Sequence, residues 1–375
     1  MGEYLIKGGA RLSGEITPGG AKNAILPILS AVILNRGISV IHNVPAITDV
    51  FLTLDILKSL GCTVTFKDGV VTVNSSNITN TDVPIEPVKL MRSSTLFLGS
   101  MLGSIGKITI AMPGGCKIGD RKIDFHLKAL RAMGATIRHD KKNDMLICSV
   151  KEGKLVNTHH TLKSPSVGAT ENIIMAAVLT KGETVIQNAA KEPEIVDLAD
   201  FLNKSGAKIS GAGTKTVVIN GVNKLKKVTH TIIPDRIVGG TYLCAAAMTG
   251  GDILLTGILP QHIRPIYRML EDAGCTVKTG ENYCWLRSPE RLQSLDKIVT
   301  EPHPGFPYCN KGRYSQKIIK IKVLLIFINN YFINYCFYPV VFLFDRIFIT
   351  KQCIYEGFGS LFKNHNFVIC VSITG

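Results

Sequence analysis

The chain reads as an α/β protein of interleaved helices and strands, built from a repeated unit of about 70 residues. Three observations predict this. Four stretches have apolar residues at helical spacing, then a glycine, then a short β-type run. They begin at Phe51, Asp124, Ile195 and Ile263. Their glycines are Gly61, Gly134, Gly206 and Gly274, spaced by 73, 72 and 68 residues. A fixed period of this length marks one supersecondary unit used repeatedly. Finally, a second apolar helix precedes each stretch, again at the same period.

Each element follows from local chemistry. The preceding helices start at Ala21, Arg92, Ala169 and Gly239 and are rich in small and apolar residues nearly all round, as buried helices are. Each leads into a strand: GISVIHNV, KITIAM, ETVIQNA and DILLTGI. The four glycines stand where a helix ends in a left-handed turn and a strand begins. A second strand then follows, at VVTVN, MLICSV, TVVING and YCWLRS. Four such units fill residues 1 to about 307. Gly211-Ala212-Gly213-Thr214-Lys215-Thr216 hints at a phosphate loop, but the required G-x-x-x-x-G-K-[ST] spacing is absent. It reads as a hairpin turn.

Composition narrows the function. The 375 residues suffice for about two domains. A 46% apolar content supplies sizeable cores, and 19% charge excludes a disordered chain. The net charge of +15 points to an anionic partner. The cations are not clustered or interleaved with aromatics, so phosphorylated small molecules stand ahead of nucleic acid. The ten cysteines are far apart, none in a C-x-x-C pair, and Met1 to Ala10 carries no apolar signal segment. Reduced thiols in a cytoplasm follow. Most are expected to be small buried hydrophobes.

The repeat stops near residue 305, where Thr300–Pro307 opens a fifth unit that does not continue. Residues 308–375 hold 9 of the 15 Phe and 6 of the 10 Tyr, with many Ile, Asn and Lys. A shifted reading frame in an AT-rich gene accounts best for this bias. A membrane anchor is the second reading, since Val323–Phe344 runs 22 residues without a charge. Its three Asn and Pro339 weaken that reading. An unusual terminal domain is the third.

Chemistry concentrates at helix starts and one loop. Pro113-Gly114-Gly115-Cys116-Lys117-Ile118-Gly119-Asp120-Arg121 joins a strand to a helix. Cationic neighbours favour the Cys116 thiolate and make it a candidate nucleophile or proton donor; an ordinary loop thiol is the alternative. Lys22 and Asn23 open the first buried helix, and helix N-termini attract anions. A lysine that merely solvates a helix end is the alternative there. Arg92 stands at the equivalent point of the second unit. Ser166, Val167 and Gly168 open the third, with Ser166 a candidate cap and Glu171 in the first turn. Asp235-Arg236 precedes the fourth. Capping does not explain cations at helix starts, which oppose the dipole unless an anion is expected.

GAKNA from Gly20, MRSS from Met91, PGGCKIGDR from Pro113, SVGATENI from Ser166, KEPEIVDLADFLN from Lys191 and PDRIVGGTY from Pro234 resemble the UDP-N-acetylglucosamine 1-carboxyvinyltransferases, a branch of the enolpyruvyl transferases. Six motifs in order make the resemblance specific, and it covers residues 1–307. It implies an inside-out α/β barrel of two three-repeat domains with the active site in the cleft between them. Residues 22–233 would form one domain, residues 1–21 plus 234–307 an incomplete other, and 308–375 the anomalous tail. The implied reaction moves enolpyruvate from phosphoenolpyruvate to the 3-hydroxyl of UDP-N-acetylglucosamine, releasing phosphate through a tetrahedral ketal. It is the first committed step of peptidoglycan synthesis, and hence bears on cell wall, shape and division. No metal or organic cofactor is implied, nor nucleic acid or, tail aside, membrane. A cytoplasmic monomer is expected.

By the same resemblance Cys116 is the loop proton donor and the fosfomycin target. Lys22, Arg92 and Arg121 hold phosphoenolpyruvate. Asn23, Arg121, Asp124, Ser166, Val167 and Gly168 contact the UDP-sugar. Two positions depart from the pattern. Lys122 follows Arg121 where the family has proline, and Cys309 stands where the family has the aspartate base, whose loss costs about 100- to 10,000-fold. An inactive relative that at most binds UDP-sugar is therefore the first alternative. The shikimate-pathway transferase is the second, disfavoured because it lacks the loop cysteine.

Overall fold

The computed structural model describes residues 4–6, 9–114, 123–295, 301–306, 341–343, 346–348 and 369–371. The chain divides into two compact units, one of residues 19–233 and one of residues 1–18 with 234–375. Two strands open it, β1 (Tyr4–Ile6) and β2 (Ser13–Ile16).

The 19–233 unit contains three repeats. The first runs α1 (Lys22–Ala31), β3 (Ile38–His42), α2 (Thr48–Ser59), β4 (Thr63–Lys67) and β5 (Val70–Asn74). The second runs α3 (Ile85–Leu90), a 3-10 turn over Arg92–Leu96, α4 (Phe97–Ser104), β6 (Lys107–Ala111), α5 (Asp124–Ala132), β7 (Ala135–Asp140) and β8 (Met145–Val150). The third runs β9 (His159–Thr161), α6 (Val167–Ala177), β10 (Glu183–Gln187), α7 (Pro193–Lys204), β11 (Lys208–Ser210) and β12 (Thr216–Asn220). Strand β13 (Val228–Thr231) ends the unit.

Each repeat builds one sheet, and the strand leaving it joins the next. Residues 81–83 leave the first repeat and bond Thr109 of β6 in parallel. Strand β9 leaves the second and lies parallel to β10, pairing Val185 with His159. Strand β13 leaves the third and returns to the first sheet, parallel to β3, pairing Val228 with Ser39. The sheet orders are β13-β3-β5-β4, β6-β8-β7 and β11-β12-β10-β9. Helices α1, α4 and α6 form the interior, since nearly every residue of each is buried. Phe97 on α4 and Phe201 on α7 are the largest fully buried side chains; burying one contributes about 2–3 kcal/mol.

Local signals explain the boundaries. All four repeat glycines have positive φ, from 89° at Gly134 to 103° at Gly61, which other residues adopt only at a cost. The Gly211–Lys215 segment is the hairpin between β11 and β12. Two expectations are corrected. The second buried helix opens as the 3-10 turn at Arg92, and regular α-helix begins at Phe97. Glu171 lies in the second turn of α6, because that helix starts at Val167, and its first turn holds no acid.

The second unit has the fourth repeat: α8 (Arg236–Met248), β14 (Asp252–Thr256), α9 (Arg264–Asp272), β15 (Thr276–Thr279) and β16 (Tyr283–Arg287). Its sheet has the order β15-β16-β14-β2, with β2 parallel to β14. Asp235 caps α8, its Oδ1 accepting from the Ile237 and Val238 amides at 2.8 and 3.1 Å. Cys244, Cys275 and Cys284 are buried here, as Cys62 and Cys148 are in the other unit; burial pushes Cys244 up to about 12. Glu301–Phe306 form a turn, the Glu301 amide donating to the Phe306 carbonyl.

Among the described residues three short strands follow, β17 (Val341–Leu343), β18 (Arg346–Phe348) and β19 (Ile369–Val371); β17 pairs β18 and β19 pairs β1. The rest of the 308–375 tail, including most of the Val323–Phe344 run and Cys309, lies outside the described residues, as do Cys116, Lys117, Arg121 and Lys122. Among the described residues, no helix is long and apolar enough to cross a membrane.

Candidate active site

Predicted site residues meet in the 19–233 unit, around a buried side chain that no local pattern announces. His126, in the first turn of α5, is 7% exposed. Its ring lies against Gly168 at the start of α6, where a Cβ would stand only 2.9 Å from Cε1. The approach therefore requires glycine at 168. Burial chiefly, and then the Arg92 charge, push the His126 pKa down to about 4, against the opposing pull of Asp124. Gly168 thus stands against the ring, and the charges of Arg92 and Asp124 act on it.

Asn172 of α6 holds that ring. It is fully buried. Its Nδ2 donates to His126 Nδ1 at 2.7 Å and to the Thr95 carbonyl at 3.0 Å. Its Oδ1 accepts from the Gly99 amide at 2.6 Å. The amide donor makes Nδ1 the acceptor and leaves the imidazole proton on Nε2. One asparagine so ties together the Arg92 turn with α4, the helix following the Cys116 loop, and the helix opened by Ser166-Val167-Gly168.

Lys22 is the first residue of α1, and its Nζ lies 2.9 Å from Asp49 Oδ2. The pair is mostly enclosed, with side-chain exposures of 16% and 9%. Asp49 sits in the first turn of α2, where a carboxylate complements the helix dipole. Its carbonyl accepts from Thr53 Oγ1 at 2.7 Å, and that hydroxyl also reaches Met91 Sδ, beside Arg92. The 3-10 turn at Arg92 packs against α1. Asn23 is half-buried one residue along.

Ser166 occupies the cap position of α6 with extended backbone, but its hydroxyl makes no cap bond. The capping reading of Ser166 is therefore corrected. The hydroxyl stands at a helix start where an anion is favoured. Beyond it, Glu171 is 3% exposed and its Oε1 has no hydrogen-bond partner. Burial first, then Glu194 and Glu192, raise its pKa well above the usual carboxylate range. A separate cavity of about 320 Å³ is lined by Gly19, Gly20, His42, Asn43 and Asp68 among others; none of the predicted site residues lines it.

His126, Asn172 and Asp49 were not singled out by the sequence. His126 and Asn172 are ordinary within their own repeats and meet across two of them, and Asp49 meets Lys22 from a different helix of the same repeat. An asparagine inside the largely apolar α6 is the signal available, and it marks a polar contact without naming the partner. No group of His, Cys, Asp and Glu suited to a metal occurs among the described residues.

The family model for EPSP synthase (3-phosphoshikimate 1-carboxyvinyltransferase) matches residues 6–316. A protein of Caldanaerobacter subterraneus subsp. tengcongensis named UDP-N-acetylglucosamine 1-carboxyvinyltransferase 2 is 48% identical over 307 residues, which is 82% of this chain and 73% of that protein. A UDP-N-acetylglucosamine 1-carboxyvinyltransferase 1 of Halalkalibacterium halodurans is 44% identical over 308 residues, 82% of this chain and 69% of its own. Among solved structures, the enolpyruvyl transferase NikO from Streptomyces tendae superposes with a TM-score of 0.67 at 22% identity, covering 76% of this chain and 68% of that one. EPSP synthase from Acinetobacter baumannii gives 0.60 at 18%, covering 77% and 68%. These two structures share the fold. The chain belongs to the enolpyruvyl transferase family, in the group that contains the UDP-N-acetylglucosamine 1-carboxyvinyltransferases.

Proposed function

We propose that this chain transfers enolpyruvate from phosphoenolpyruvate to the 3-hydroxyl of UDP-N-acetylglucosamine and releases phosphate. The observation that carries the choice of acceptor is the 44–48% identity to relatives named for that sugar nucleotide, over about four-fifths of the chain. The EPSP synthase structure, by contrast, is 18% identical.

The arrangement of the 19–233 unit supports this reading. Lys22 and Arg92 supply positive charge for the phosphate and carboxylate of phosphoenolpyruvate. Arg121 joins them by its place in the motif. By their places in the motifs, Ser166, Val167 and Gly168 at the start of α6, together with Asn23 and Asp124, contact the UDP-sugar. A dianionic ligand at helix starts is stabilised by the amides and the dipole together. Cys116, which follows two glycines and has Lys117 and Arg121 after it in the loop, delivers the proton to the methylene carbon and is the residue fosfomycin alkylates. Arg92 and the buried His126 act without a metal: His126 stays neutral above about pH 4 and so adds no charge to the anion site.

The product feeds peptidoglycan assembly in the cytoplasm, and through it cell shape and division. The acting species is a monomer that binds no nucleic acid. With Cys309 at the position of the family's aspartate base, turnover falls below the family's by about 100- to 10,000-fold, while binding of the sugar nucleotide remains. The test is phosphate release from phosphoenolpyruvate by the full chain, with either UDP-N-acetylglucosamine or shikimate 3-phosphate as acceptor, alongside calorimetric titration of both acceptors. Binding and slow release with the sugar nucleotide alone are expected. A preference for shikimate 3-phosphate, or no affinity for the sugar nucleotide, overturns the proposal.

A further inference from the structure

We infer that Asp49 is a positioning residue for the anion site, acting through Lys22. The inference rests on the reading of Lys22 as a ligand of the phosphoenolpyruvate phosphate or carboxylate.

Lys22 begins α1 without a capping side chain at Ala21. A cation there is opposed by the helix dipole. Its ammonium is also largely removed from solvent, which disfavours charge further. Asp49 offsets both. Its carboxylate stands 2.9 Å away and is itself enclosed. It sits in the first turn of α2, where the dipole favours it. Two helix starts thus face each other with opposite charges.

The geometry limits what Asp49 does. An ammonium has three donors. The Oδ2 contact engages one of them and sets where the nitrogen stands. Asp49 is anchored in turn, because Thr53 ties its carbonyl to Met91 next to Arg92. The two cations of the site are therefore set on one scaffold running from α2 to the Arg92 turn. Without Asp49 the ammonium loses the contact that sets its position against α2, and a phosphate contact would have to restore that order.

The experiment uses the full chain, with inorganic phosphate as the probe in the presence of saturating UDP-N-acetylglucosamine. Asp49→Ala and the isosteric Asp49→Asn are compared with Asp49→Glu, and far-UV circular dichroism verifies folding. We expect phosphate affinity to fall about tenfold in the Ala and Asn variants, the size of one charge-assisted contact. Sugar-nucleotide affinity should stay within about twofold, and Asp49→Glu should restore much of the phosphate affinity. In parallel, acetylation of the Lys22 amine, measured by peptide mass spectrometry against exposed Lys58, should rise several-fold in Asp49→Ala. Unchanged phosphate affinity in both variants overturns the positioning role. Equal loss of phosphate and sugar-nucleotide affinity does so as well, because it marks a structural part only. Absence of phosphate binding by the unsubstituted chain overturns the reading of Lys22 and this role with it. The acetylation contrast then still decides whether Asp49 holds the amine, so the two failures are told apart.

Discussion

The residue 19–233 unit and the fourth repeat are made from the same elements, yet they complete their sheets differently. In the former, three sheets receive a parallel strand from the preceding repeat, and β13 returns from the end of the unit to the first sheet. Its interior helices bury each other: α4 packs on α6 and also contacts α1. In the latter, one sheet takes its parallel strand β2 from the start of the chain, and α8 has α9 as its helical neighbour among the described contacts. The difference teaches that one repeat is a local pattern, whereas the stability of the fold belongs to the ring of repeats.

The largest expected effect tests that statement. Trp285, the chain's one tryptophan, reports the fourth repeat: it donates to Asp252 at 2.7 Å and lies between Lys278 and Arg287. In guanidinium titration its fluorescence should change at a concentration lower by about 1 M than the loss of helical circular dichroism. Coincident transitions would show that the two parts unfold as one and would break the comparison.

Next comes the polar clamp inside the ring. Asn172→Ala leaves the Gly99 amide and His126 Nδ1 without their partner and takes one donor from the Thr95 carbonyl, at a cost of about 3–4 kcal/mol. The effect should appear in the circular dichroism transition and leave the Trp285 transition in place. A loss below about 1 kcal/mol would mean that apolar packing alone joins the second and third repeats.

Acid sharpens the contrast further. The folded His126 pKa, about 4, lies below its ordinary value of 6.5. The unfolded chain therefore binds the proton first. The stability this group contributes is complete above pH 6.5 and is lost as pH falls toward 4, by about 3 kcal/mol. His126→Gln should flatten the pH dependence of the circular dichroism transition over that window. An unchanged slope would remove the buried neutral imidazole from the account.

Parts of this were legible in the sequence because their causes are local. Gly61, Gly134, Gly206 and Gly274 each end a helix by the left-handed turn that glycine permits, and the apolar runs of α1, α4 and α6 announce burial on all sides. The strands β9 and β13 were not legible as partners of β10 and β3. They are short and polar, reading HHT and VTHT, and only a distant backbone tells them where to pair. The site divides in the same way. Lys22 and Arg92 stand out because a cation at a helix start needs an anion. What the sequence leaves open is that Asp49 already supplies one such charge, from a helix 27 residues further on.

The return of β13 to the first sheet has a consequence for synthesis. The sheet begun by β3 lacks its outer strand until residues 228–231 have been made, so the ribosome delivers the key that closes the ring last. Contacts between Ser39 and Val228 span most of the unit, and contacts of that sequence separation form slowly. The same closure brings the unit's ends together, the Ala21 amide donating to the Ile233 carbonyl at 2.9 Å. A gene rearranged to join those ends, and to begin instead at the exposed Ser76–Asn80 connection, encodes the same ring with a different first word.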